Sequence, residues 1–123
     1  MNSLYIISGK VIKGAKRGKS LGFPTANINI EQVIPEGIYA SEVIVDNKTY
    51  QAATFIGTAK TFKENEYKAE SYIINFDQKI YGKQIRITLF KKLRENIQFS
   101  TKEKLIEQMK DDVLQTLSFF SNH

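Results

Sequence analysis

The fold of this chain is organised around the stretch Gly14-Ala15-Lys16-Arg17-Gly18-Lys19-Ser20-Leu21-Gly22-Phe23-Pro24-Thr25-Ala26-Asn27. Its glycines recur at every fourth position and allow a tight backbone path between basic side chains. Backbone N–H donors and cations in this arrangement suit a polyphosphate. If the chain is extended after Pro24, Thr25 and Asn27 lie on the same side, because side chains alternate along a strand.

The hydroxyl of Thr25 and the amide oxygen of Asn27 are hard ligands of the kind that Mg²⁺ prefers. The alternative is local, since both side chains could cap the backbone as turns after Pro24. A Walker A loop is excluded, because no glycine stands five residues before Gly18 and the sequence after Pro24 disfavours a helix. A basic surface loop that ends in a proline turn is the plain structural interpretation.

The composition is that of an ordinary globular domain. The 123 residues are 41% hydrophobic and 25% charged, which suffices for one domain with one core over residues 1–123. No apolar run approaches the length of a membrane helix and no signal peptide is recognisable, so we expect no membrane association and a cytoplasmic location. Cysteine is absent and His123 is the only histidine, which excludes cysteine chemistry and disfavours histidine-based triads and metal sites.

The charge distribution favours an anionic partner. The net charge is +5, and the first thirty residues contain five basic and no acidic side chains. A nucleotide triphosphate and a nucleic acid both fit this asymmetry, and charge alone does not separate them. Lys16 and Arg17 also fit a merely solvated face.

Short apolar segments between turn residues predict a mainly β fold, a small closed barrel. We expect residues 58–69 to form a loop after Gly57 ends the fourth strand, and residues 91–99 to be irregular. The predicted strands cover residues 5–12, 25–30, 38–45, 49–56, 70–76 and 84–90.

A C-terminal amphipathic helix of about five turns is predicted to plug or flank this barrel. Ser100-Thr101-Lys102-Glu103 reads as a capping box that begins the helix at a Ser100 cap. We expect the apolar stripe of the helix to pack on the core; it comprises Leu105, Ile106, Met109, Val113, Leu117 and Phe120.

The segment Gly22-Phe23-Pro24-Thr25-Ala26-Asn27, preceded by Gly14-x-x-x-Gly18, resembles the signature of riboflavin kinases. The resemblance covers nearly the whole chain and is closest in kind to the C-terminal domain of bacterial riboflavin kinase/FMN adenylyltransferases. Two family prolines are replaced, by Lys60 and Glu95, and Asn75 stands where the family often has Asp. The further matching segments are Pro35 to Ala40, Glu70 to Phe76, Tyr81-Gly82, Leu93-Arg94, Phe99-Ser100 and Asp112.

The resemblance implies a six-stranded Greek-key barrel with a C-terminal helix. It implies a kinase that transfers the γ-phosphoryl group of ATP to the ribityl 5′-hydroxyl of riboflavin, with Mg²⁺, to give FMN and ADP. Glu70 would be the general base, Thr25 and Asn27 the metal ligands, and Arg94 and Phe99 flavin contacts. The implied nucleotide-binding residues are Gly14, Gly18, Lys19, Gly22, Thr25 and Asn27.

Two of these assignments have plain structural alternatives. Glu70 shares strand parity with Tyr72 and Ile74, which we expect to face the core, so its carboxylate would be partly desolvated at the end of an apolar face. It could instead be an exposed carboxylate paired with Lys68. Phe99 could stack on the flavin or act as a hydrophobic staple before the helix cap.

Two other functions remain open at this level. A nucleic-acid-binding barrel would combine basic grooves with exposed aromatic side chains, and a non-catalytic flavin or nucleotide sensor could share the fold. We expect a monomeric kinase that binds no nucleic acid. An FMN adenylyltransferase domain, to which such kinases are fused in most bacteria, is not encoded in these residues, so we expect no FAD synthesis.

Overall fold

The computed structural model describes residues 1–12, 25–60 and 65–123. Six strands and a long helix account for most of these residues. Their bounds are β1 Tyr5–Lys10, β2 Ala26–Asn29, β3 Gly37–Val45, β4 Lys48–Lys60, β5 Asn65–Ile73, β6 Gln84–Arg94 and α1 Lys102–Ser121.

The strands form one antiparallel sheet in the order β1-β6-β3-β4-β5-β2. A bridge between Ile12 and Asn27 brings the β1 side of the sheet onto β2, so that the barrel is nearly closed. Alternate residues of each strand fill the interior, and Ile28, Val43, Ile56 and Ile87 are fully buried there. The prediction of a six-stranded, mainly β barrel is confirmed.

Two strands are longer than the sequence pattern predicts. The fourth strand does not end at Gly57, because cross-strand pairs with β5 continue as far as Lys60. The ring of Phe55 covers Gly57, which therefore needs no side chain of its own. The expectation of a loop over residues 58–69 is wrong, since β5 already begins at Asn65, and β6 extends through two register shifts to Arg94.

A chain of three buried hydroxyl groups joins β3, β4 and β5 inside the barrel. The Oγ of Ser41 lies 2.6 Å from Oγ1 of Thr54, which lies 2.8 Å from Oγ of Ser71. The Ser41 hydroxyl also donates to the carbonyl of Ala52 at 2.9 Å. All three hydroxyls are buried and paired, so their hydrogen bonds offset the cost of desolvation while they fix the relative position of three strands.

Two tyrosines fasten the connection between β2 and β3. The hydroxyl of Tyr39 donates to the carbonyl of Pro35 at 2.6 Å, and the hydroxyl of Tyr67 bonds the backbone of Ile34. Burial, reinforced by Tyr5, Tyr67 and Glu95, raises the pKa of Tyr39. The connection is thereby held against one end of the barrel.

The helix flanks the barrel and does not plug it, since it packs across the outer faces of β3, β4 and β6. Its N-cap is Thr101, not Ser100, because the Thr101 hydroxyl accepts from the backbone N–H of Lys104 at 3.2 Å. The buried residues of the helix are polar, Asp112 and Thr116, whereas Leu117 is 40% exposed. The expectation that the whole apolar stripe packs inward is therefore wrong for Leu117.

The C-terminal turn of the helix adds an aromatic contact to the sheet. The ring of Phe90 on β6 lies 5.6 Å from that of Phe120, edge to face, and 6.5 Å from that of Phe119.

Among the residues described, no helix has both the length and the hydrophobicity to cross a membrane.

Replacing Thr54 by Val should lower the free energy of unfolding by about 1–3 kcal/mol, because the hydroxyls of Ser41 and Ser71 then lose a buried partner. Urea unfolding measures this change. The matched control is Thr58→Val, the same substitution at an exposed position of the same strand, for which we expect less than about 0.5 kcal/mol. Equal losses at both positions would show that the hydroxyl chain has no special role.

Candidate functional site

The candidate site lies on the outer face of the barrel, where β2 pairs with β5. Asn27 stands directly opposite Glu70 in this antiparallel pair. Directly paired residues carry their side chains on the same face of a sheet, with Cβ atoms roughly 5 Å apart. The neighbours Ile28 and Ala69 belong to the interior core, so Asn27 and Glu70 both point outward.

The expected orientation of Glu70 is therefore wrong. The residues of β5 that face the interior are Ala69, Ser71 and Ile73, and Glu70 has the opposite parity. Its carboxylate is nevertheless half-buried on the outer face. The side chain lies beside Asn27, on the next strand of the sheet.

Asn27 has an oxygen that the described residues leave without a partner. The residue is only 3% exposed, and its Oδ1 is buried and accepts no hydrogen bond. Its Nδ2 lies 3.5 Å from both the carbonyl oxygen and the hydroxyl of Thr25. A buried amide oxygen without a donor is costly in apolar surroundings, so a cation that completes its coordination fits this position.

The two candidate metal ligands, the hydroxyl of Thr25 and the amide oxygen of Asn27, carry no charge. Within the described ranges, no group of three or more His, Cys, Asp or Glu residues could hold a metal ion. A site built from the oxygens of Thr25 and Asn27 depends on an anionic ligand to balance the cation's charge. Such sites are typical of Mg²⁺ bound together with a nucleotide phosphate.

The pairing continues across the sheet as a line of side chains that we call the transverse row. It contains one outward-facing residue from each of five strands: Asn27 on β2, Glu70 on β5, Phe55 on β4, Ile38 on β3 and Arg94 on β6. The row follows the curved outer surface of the barrel for four strand spacings, roughly 19 Å along that surface. The metal-ligand candidates thus lie at one end and Arg94 at the other.

Arg94 is held by the flanking helix. Its Nε and NH2 donate to the two carboxylate oxygens of Asp112, both at 2.7 Å, and its NH1 donates to the carbonyl of Glu95 at 3.0 Å. Gln108 adds a third bond to the same carboxylate at 3.0 Å. Since the Asp112 side chain is only 8% exposed, this bidentate pair fixes the helix against the end of β6.

A groove opens beside this ion pair, between the segment 97–100 and the helix. Its volume is about 530 Å³, and it mixes apolar, amide and charged side chains. Asn96, just before it, donates to the carbonyl of Ile56 at 3.4 Å and so fastens the segment onto β4. The groove is lined by Ile97, Gln98, Phe99, Ser100, Lys104, Glu107, Gln108 and Asp111.

Phe99 is half-buried in the wall of this groove. Because the helix cap is Thr101, Phe99 lies two residues before the cap and is not at the staple position, which directly precedes it. The groove wall is therefore its structural setting.

The predicted site residues fall into three groups. Thr25, Asn27 and Glu70 come together at one end of the transverse row, and Arg94 and Phe99 lie near the other. The predicted nucleotide-binding residues Gly14, Gly18, Lys19 and Gly22 lie outside the described residues.

Sequence reasoning missed two side chains of these regions, Phe55 in the transverse row and Gln108 in the groove wall. Phe55 gave no signal, since one Phe in an apolar strand is expected to be core. Gln108 reads from sequence as an ordinary polar position on a solvated helix face.

Comparison with known proteins agrees with this fold. The family model for riboflavin kinase, Flavokinase, matches residues 1–120. The trifunctional protein RibF/MnmA of Mycoplasmoides gallisepticum is 44% identical over 94% of this chain, which covers 18% of that protein. The bifunctional riboflavin kinase/FMN adenylyltransferase of Bacillus subtilis is 36% identical over 96% of this chain, which covers 39% of that protein.

Among solved structures, riboflavin kinase from Trypanosoma brucei superposes with a TM-score of 0.68 at 25% identity, over 94% of this chain and 79% of that one. The helix-flanked antiparallel barrel is the fold shared with that structure. The chain belongs to the riboflavin kinase family. It spans about two fifths or less of the length of the bifunctional and trifunctional relatives. Membership of the riboflavin kinase family does not favour the alternative that the chain is a nucleic-acid-binding barrel.

The ion pair between Arg94 and Asp112 should be strongly coupled, because removing one partner leaves the other charged and poorly solvated. We expect Arg94→Met and Asp112→Leu each to cost about 3 kcal/mol of unfolding free energy, and the double variant to cost much less than their sum. Denaturant unfolding of all four proteins measures the coupling.

The control is Lys92→Met, which breaks the more exposed pair with Glu95 and should cost less than about 1 kcal/mol. Strictly additive losses for Arg94→Met and Asp112→Leu would contradict the clamp.

Proposed function

We propose that this chain is a riboflavin kinase, which transfers the γ-phosphoryl group of ATP to the ribityl 5′-hydroxyl of riboflavin and yields FMN and ADP. The observation that carries the proposal is the direct pairing of Asn27 with Glu70 on the outer face, with the amide oxygen of Asn27 buried and unpartnered. Family membership over residues 1–120 supports the same activity. We expect the monomer to be active.

Thr25 and Asn27 would hold Mg²⁺ through the hydroxyl and the amide oxygen. When bound, the ion neutralises charge on the transferring phosphate, as is general for phosphoryl transfer. The pairing of β2 with β5 fixes the position of Asn27. The hydroxyl of Thr25 lies 3.5 Å from the amide nitrogen of Asn27. The basic glycine-rich stretch Gly14–Gly22 immediately precedes them in sequence, where it could accept the remaining phosphates.

Glu70 would act as the general base for the acceptor hydroxyl. Proton transfer requires a base within hydrogen-bond reach of the attacking oxygen, and phosphoryl transfer requires that oxygen in line with the γ-phosphate. Glu70 lies one strand from Asn27, roughly 5 Å in Cβ separation, so an acceptor hydroxyl could lie between the carboxylate and a metal-bound phosphate. Its half-buried position limits competition from water.

The groove beside Arg94 and Asp112 would receive the isoalloxazine ring. Its volume of about 530 Å³ is within the usual range for small-molecule sites, and Phe99 offers an aromatic wall. Since the guanidinium of Arg94 is engaged by Asp112, we propose that Arg94 supports flavin binding mainly by holding the groove in shape.

Glu70→Gln should lower kcat by about 10²- to 10⁴-fold with little change in either KM, because it removes the base and keeps the shape of the side chain. FMN formation from riboflavin and ATP with Mg²⁺ is the assay. Glu42→Gln, a half-buried glutamate on the same outer face of β3, is the matched control and should retain wild-type activity. A Glu70→Gln enzyme with full activity would contradict the assignment of the base.

Asn27→Ala should raise the Mg²⁺ concentration for half-maximal activity by about tenfold or more, because it deletes an oxygen ligand. Asn29→Ala, on the same strand and exposed, is the control and should leave the Mg²⁺ dependence unchanged. An unaltered Mg²⁺ titration for Asn27→Ala would place the metal ligands elsewhere.

A further inference from the structure

The transverse row contains one aromatic side chain, Phe55, directly between Glu70 and the helix-covered part of the sheet. Phe55 pairs with Glu70 on one side and with Ile38 on the other. Its neighbour Ile56 belongs to the interior core, and Phe55 does not pack against that core. The ring is therefore a half-buried apolar surface on the outer face, next to the proposed base.

Gly57 determines how the ring lies. A Cβ built on Gly57 would stand 2.5 Å from Cζ and 2.8 Å from Cε2 of Phe55, and 3.0 Å from Oε1 of Glu36. Atoms cannot approach so closely, so any side chain at position 57 would displace the ring. Without one, the ring lies over Gly57 on the outer face of β4.

The groove begins close to Phe55. Asn96, directly before the groove segment 97–100, donates to the carbonyl of Ile56, the residue that follows Phe55 on β4. If the terminal hydroxyl lies at Glu70, the five-carbon ribityl chain extends roughly 6 Å toward the groove, by ordinary bond lengths. The position of Phe55, about 5 Å from Glu70, lies along this path.

We propose, resting on the riboflavin kinase function above, that Phe55 is a specificity-determining residue that packs against the C–H groups of the ribityl chain. An aromatic face carries partial negative charge and attracts such weakly positive hydrogens. The contact is made by the polyol and not by the isoalloxazine ring, which is placed in the groove between the segment 97–100 and the helix. Gly57 contributes because it allows the Phe55 ring to lie in this position.

Two variants test this contact through opposite changes. Phe55→Leu removes the ring, and Gly57→Ala keeps the ring but displaces it from its position over Gly57. Both should raise the riboflavin KM about fivefold at saturating ATP and Mg²⁺, with the ATP KM and kcat within about twofold of wild type. The control is Phe76→Leu, a half-buried phenylalanine that packs against Tyr50 outside the row, and it should leave the riboflavin KM unchanged.

Lumiflavin, which has the isoalloxazine ring but no polyol, separates the two parts of the acceptor. Its inhibition constant should be the same for the wild type and for both variants. Riboflavin KM values within twofold of wild type in both variants would overturn the proposal, as would an equal loss of affinity for lumiflavin. If the wild-type chain forms no FMN, the kinase function itself fails, which is a different result.

Discussion

The candidate site depends on the antiparallel register between β2 and β5, because this register pairs Asn27 with Glu70. Side chains alternate along strands with a period of two, so a slip of one residue would turn Asn27 into the barrel and separate it from Glu70. The buried side chains of Ile28 and Ala69 oppose such a slip, because they would then leave the core. A hydrophobic constraint inside the barrel thus fixes the polar geometry outside it.

The groove beside Arg94 depends on the helix. The bidentate bond from Arg94 to Asp112 joins the last residue of β6 to the middle of the helix, and Gln108 completes it from the groove side. Asn96, directly before the segment 97–100, fixes that segment to β4 by its hydrogen bond to the carbonyl of Ile56. Flavin-side and phosphate-side residues come from opposite ends of the sequence, and β4 connects them, since Phe55 pairs with Glu70 and the carbonyl of Ile56 accepts from Asn96.

Much of the barrel could be predicted from the sequence, because the alternating strands, the turn residues and the helix each carry local signals. The length of β4 could not, since glycine is unfavourable within a strand and the pairing with β5 that continues through Gly57 to Lys60 has no local sequence signal. The orientation of Glu70 was predicted wrongly because β5 has buried residues on both faces, including Lys68 and Ala69. Thr25 and Asn27 were predicted as metal ligands from their motif, whereas the pairing of Asn27 with Glu70 required the strand register.

The most direct test of the account is an experimental structure of the chain with Mg²⁺, ADP and FMN. The account predicts the FMN phosphate between Asn27 and Glu70, the metal within coordination distance of the Asn27 amide oxygen, and the isoalloxazine ring against the segment 97–100 and the helix. A flavin bound inside the barrel, or on the outer face of β1 away from Glu70, would contradict it.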